Sequence, residues 1–239
     1  MAQSTGSVGV LRTRVPGVWA LALGLAMLTP AAAPGAEIAD AELVLEVLAP
    51  VFPDDQPEAA PPRFVLLKDR QVFVGGTSRV LTARLEKRDL EPLEKLVDGL
   101  RKVKGLGETV MLGPETVTHR LWIRSRRPPL LTAQGDPARA PAALQRLGRL
   151  LIALSDFHHP ALRPYQPTSY GLRSREERLV GGCRVWDVDL PPPDGRSTVQ
   201  TVPAAAFRGW PTGSHPASVC HAGRSYVVTL RPLLPGERP

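Results

Sequence analysis

Aromatic residues and cysteine are scarce in this 239-residue chain, which holds four Trp, three Tyr, five Phe and two Cys. So few rings leave little for the stacking platforms of a sugar-binding cleft or a single-stranded nucleic-acid groove. Lysine is scarce as well: the 30 basic residues exceed 23 acidic ones, a formal +7, almost entirely through scattered arginines. Nucleic-acid binders cluster such charge and interleave it with aromatics, so no nucleic-acid partner is expected. A coding bias toward Ala, Arg, Gly and Pro is the first explanation of the arginines, and an anionic partner the second. Missing too are a G-x-S-x-G elbow and the spaced glycines and lysine of a phosphate loop, which Gly75-Gly76-Thr77-Ser78 does not supply. No cofactor is expected. With 43% hydrophobic and 22% charged residues the chain is not bulk-disordered. At this length it buries roughly 70% of its unfolded surface, enough for a hydrophobic core without metal.

One apolar run stands out. Arg12 and Arg14 precede Val18 to Leu28, and Thr29-Pro30 and the small residues Ala31, Ala32, Ala33, Gly35 and Ala36 follow. Positive, apolar and small residues in that order predict a cleavable secretory signal over 1–36, cut after Ala36. The run is well short of the about 20 apolar residues that span a bilayer. The expectation is therefore a secreted protein, extracellular or periplasmic, with no membrane span in its mature chain. The first cysteine is Cys183, too remote from the cleavage zone for a lipoprotein. Residues 37–62 contain seven acids and no base, so a mature charge of +5 divides into minus seven there and +12 from Arg63 onward. This acidic leading segment, with one strand near Glu42 to Leu48, is expected to lie across a basic body.

Periodicity sets the next stretch. Phe64 to Leu67 and Val72 to Val74 flank Lys68-Asp69-Arg70-Gln71 as a hairpin, and Val80 to Leu85 reads as a third strand. Leu90, Leu93, Leu96, Val97, Leu100 and Val103 recur at helical spacing after Asp89, a good N-cap, with Pro92 placed in the first turn. Thr116 to Arg124 alternates strictly and Leu130 to Ala133 returns beside it, while Ala140 to Phe157 reads as a second helix. The fold class is thus α+β over 63–157, an antiparallel sheet with two amphipathic helices on one face. Residues 158–239 are rich in Pro and Gly and form a smaller, loop-rich β region, with strands near Ser169 to Ser174, Arg184 to Leu190 and Tyr226 to Arg231 and a helical turn at Ala204 to Phe207.

In an exported chain, Cys183 and Cys220 predict a disulfide. The competing reading, a thiol nucleophile at Cys220, is weakened because its neighbour His221 points to the opposite face of a strand. The histidines, His119, His158, His159, His215 and His221, lack the i, i+4 spacing or C-x-x-C partner of a zinc site, so no metal is expected. His119 falls on the apolar face of its strand and reads as a core residue. Alternation places Arg120, Trp122 and Arg124 on the other face, a basic and aromatic patch and the best candidate for a contact surface; the competing reading is a strand face covered from within.

The hairpin RFVLLKDRQVFVGG, the following LTARL with its helix, and the ending RSYVVTLRPLLPGE together resemble a group of uncharacterised exported α+β proteins of high-GC bacteria. This chain departs from them in having Asp69-Arg70 where they have Asp-Gly, and in its Pro-rich stretch from 191. The resemblance implies architecture and export, supplies no established catalytic residues to carry across, and leaves function open. The function expected is a non-catalytic binding or interaction domain at the cell envelope or outside the cell, taking a protein or an anionic envelope component. The alternatives are a secreted hydrolase with a site between the two parts near His158, His159 or His221, and a secreted inhibitor presenting a Pro-rich loop.

Overall fold

Strands with one buried face dominate the chain. A computed structural model describes residues 37–48, 60–75, 79–104, 106–114, 117–126, 129–178, 181–192, 199–212 and 216–238, all within one compact unit, Gly35–Pro239. The expected leader over 1–36 and its cleavage point lie outside the described residues. In chain order the elements are β1 Glu37–Ile38, β2 Ala41–Leu48, β3 Phe64–Leu67, β4 Gln71–Val74, β5 Leu81–Arg84, α1 Lys87–Leu100, β6 Thr109–Met111, β7 Thr118–Ile123 and β8 Leu130–Gln134. There follow α2 Gln145–Ser155, β9 Arg163–Pro164, β10 Ser169–Glu176, β11 Arg184–Val185, β12 Gln200–Pro203, β13 Ala217–His221, β14 Arg224–Pro232 and β15 Glu237–Arg238.

The fold is α+β. The first sheet runs β6-β8-β7-β2-β3-β4-β5-β9 and the second β11-β13-β14-β10-β12, with β1 and β15 paired separately. The expectation of an antiparallel sheet needs correction, because β6 lies parallel to β8 and β11 parallel to β13. Both β6 and β11 are short edge strands, added where a neighbour presents an open ladder, so no tight hairpin dictates their direction. Of the acidic leading segment only 37–48 and 60–62 are described. Its β2 is an inner strand between β3 and β7, and β1 adds a second strand to the one expected.

One face of the first sheet meets both helices through Leu43, Leu45, Phe64, Val72, Leu121 and Ile123, against Leu90, Leu93, Leu147, Leu150, Leu151 and Leu154. Helix α1 starts a turn before the expected point. Glu86 caps it, and Asp89 is the N3 member of a capping box, its carboxylate accepting from the Glu86 N–H at 3.1 Å. Pro92 therefore sits in the second turn, where it removes one helical hydrogen bond on the exposed face. Helix α2 is shorter than expected because 137–139 and 142–144 form separate 3-10 turns around Pro141. At Gly148 a Cβ would stand 2.4 Å from the Pro137 carbonyl oxygen, so glycine is what lets the first of those turns lie on the helix.

The other face of the first sheet is covered by the end of the chain. Val65, Leu67 and Phe73 pack with Ile38, Val80 and Leu234, and Tyr165 meets Phe73 edge-to-face at 5.1 Å. The terminal RPLLPGE stretch explains itself here. Pro235 and Gly236 (φ +70°) occupy the centre of a turn whose ends are tied by the Glu237 N–H to the Leu234 carbonyl, 3.0 Å, and the Leu234 N–H to the Glu237 carboxylate, 2.8 Å. The turn carries β15 onto β1 and directs Glu237 into an ion pair with Arg231, both side chains buried.

Candidate functional site

Strand β7 holds Arg120 and Trp122 on one face, as alternation requires, and its register with β2 decides what they can do. Arg120 lies opposite Glu46 and Trp122 opposite Val44. The Arg120 guanidinium is 3.9 Å from the Glu46 carboxylate, with about a quarter of its side chain exposed. Trp122 is half-buried against the cluster that includes Leu234. Burial pushes the Glu46 pKa above 4.5, partly offset by Arg120 and Arg231, while Glu237 pushes it further up. Glu46 thus sits within the field of the terminal ion pair, and two of the three candidate contact residues are engaged inside the molecule. Arg124, past the strand end, is exposed.

Arg124 leads instead to a different feature. Its neighbours Ile123 and Ser125 line a groove of about 570 Å³ that opens between α1 and the ends of β2, β3 and β7. Its floor is aliphatic, with Leu43, Leu66, Leu90, Leu93 and Ile123 nearly buried. Its rim is charged: Lys68 and Arg70 come from the β3–β4 turn, Lys87, Glu94 and Asp98 from α1, and Glu42 from β2. Lys68 is paired with Asp40, and Asp98 with Arg101 at 3.5 Å. Arg70, Lys87, Glu94 and Glu42 have no ion-pair partner among the described residues and are exposed. No family model, curated protein or solved structure matches this chain. The groove was not legible as a site in the sequence, because its residues come from four elements and form no motif.

The remaining candidates occupy separate settings. Cys183 and Cys220 form a disulfide with their Cα atoms 5.6 Å apart. His159 follows α2, accepts from the Ala161 N–H at 3.2 Å and faces the Asp89 carboxylate at 3.8 Å, while His158 is exposed. His221 ends β13 opposite Arg224 in the second sheet. His215 and 193–198 of the Pro-rich stretch lie outside the described residues. Among the described residues no group of three or more His, Cys, Asp or Glu is placed to hold a metal ion.

His119 lies on the helix-facing side of β7, 5% exposed, and neither ring nitrogen has a partner of good hydrogen-bond geometry. Burial pushes its pKa below 6.5, with the Gly135 backbone and the Asp136 charge pulling the other way. The unfolded chain therefore binds the proton first, and stability falls as pH drops from 6.5 toward the lowered native value. Glu46 acts in the opposite sense, since its raised native pKa makes stability fall as pH rises from 4.5. Thermal melts of His119→Leu should show the loss as pH falls below 6.5 flattened or reversed. An unchanged acid limb would show that another group carries it.

Proposed function

We propose that this chain is an exported, non-catalytic binding domain whose ligand site is the groove beside α1. The observation that carries the reading is an aliphatic floor whose rim includes Arg70, Lys87, Glu94 and Glu42, charges with no ion-pair partner among the described residues. Sites for small ligands have this composition, apolar walls with a few polar groups that fix orientation. The alternative contact face on β7 has less to offer a partner, because Arg120 is matched by Glu46 and Trp122 is half-buried. Export is supported by the order of charge, apolar run and small residues over 1–36 and by the Cys183–Cys220 disulfide, a bond of oxidising compartments. No helix among the described residues is long and apolar enough to cross a membrane.

The full chain expressed in a bacterial host should be recovered outside the cytoplasm, with the mass of a chain beginning at Glu37. Purified protein should bind an apolar fluorescent dye, and Val97→Arg, which places a guanidinium in the groove from the half-buried wall of α1, should abolish that binding while leaving the far-UV circular dichroism unchanged. Dye binding that survives Val97→Arg places the ligand site elsewhere.

A further inference from the structure

The charges of the groove are ordered along α1. Lys87 and Glu94 both line it, and seven residues of helix separate them by about 10 Å along the axis, on the same face. Arg70 belongs to the cationic end, because its carbonyl accepts from the N–H of Leu85, just before the helix. Between the two ends the wall is Leu90 and Leu93, and Glu42 stands on the facing strand. A ligand with one net charge would meet an opposing charge at one end. A dipolar ligand meets complementary charges at both.

We propose, on the reading that the groove is the ligand site, that it takes a short zwitterionic peptide with an aliphatic side chain, its carboxylate toward Arg70 and Lys87 and its ammonium toward Glu94. An extended tripeptide spans about 10 Å, comparable to the axial rise between helix positions 87 and 94. Its central side chain then faces the leucine floor. Longer peptides lose the match because their termini overshoot the charges, and capped peptides lose it because they have none.

Calorimetric titration of the oxidised full chain with Ala-Leu-Ala tests this. Free tripeptide should bind about tenfold or more tighter than acetyl-Ala-Leu-Ala-amide. Lys87→Glu and Glu94→Lys should each weaken the free peptide about fivefold and leave the capped one unchanged, as expected for exposed charge pairs. Both positions are exposed, so the variants keep the fold. Equal binding of free and capped peptide, sensitive to Val97→Arg, overturns the zwitterion assignment and leaves the groove as the site. Absence of any peptide binding while the dye still needs the groove overturns the peptide class alone. Dye binding indifferent to Val97→Arg removes the underlying reading.

Discussion

Replacing Arg231 with methionine is expected to destabilise the folded chain by about 3–5 kcal/mol at neutral pH, the cost of stranding one member of a buried ion pair. Arg231 is 9% exposed at its side chain and Glu237 fully buried, so solvent cannot take over the lost partner. The pair also has no slack around it. Glu237 is held by the Leu234 N–H, and Glu46 sits close enough to feel both charges. Without the guanidinium, the buried Glu237 carboxylate is left unpaired within the field of Glu46, which keeps only Arg120. Acid should therefore recover part of the loss, since protonating either carboxyl relieves the repulsion. Adding Glu237→Gln should restore most of the stability at neutral pH, because an amide oxygen can still accept from Leu234 and no charge is left unpaired. Urea unfolding of the two single variants and the double variant measures the coupling. A loss below about 1 kcal/mol for Arg231→Met would place the pair with ordinary surface ion pairs.

That ion pair shows where the sequence could and could not be read. The helix-facing side of the first sheet was plain from Val117 to Ile123 and from the leucine spacing of α1, because one buried face imposes a period that a single chain displays. What lies on the other face depends on register. Nothing in Arg120 or Glu46 alone says that they stand opposite each other, and nothing in RPLLPGE says that the chain returns to cover a sheet it left far earlier. Two- and three-residue strands such as β1, β6 and β11 carry no period at all and exist because a neighbour offers an edge. Asp89 misled by residue type, since the same carboxylate serves at the N-cap or at N3. The groove belongs to the same class of feature: Arg70, Lys87 and Glu94 are unremarkable in the sequence and gain meaning only when a turn and a helix bring them to one rim.

Removing the disulfide by Cys220→Ser is expected to cost about 3–4 kcal/mol, from the loop-closure entropy of a separation of 37 residues. The location argues that the effect will reach the packing of the second sheet. Cys183 directly precedes β11, a two-residue strand at the sheet edge whose ladder with β13 pairs Arg184 with Val219 and Val185 with Cys220. So short a strand has little of its own to hold it, and Val185 is 70% exposed. Immediately after it Trp186 enters the core, packed edge-to-face on Phe207 and Trp210 with ring centroids 5.9 and 5.5 Å apart. Arg184 lies over the Trp210 ring at 4.3 Å and donates to Asp187 at 2.9 Å, which lowers the Asp187 pKa. Freed of the sulfur bridge, β11 should fray first and admit water to both tryptophans. Their fluorescence should then shift to the red at a lower denaturant concentration than the far-UV signal is lost, whereas in the oxidised chain the two transitions should coincide. Coincident transitions in Cys220→Ser with a total loss under about 1 kcal/mol would show that the aromatic cluster holds the edge strand by itself.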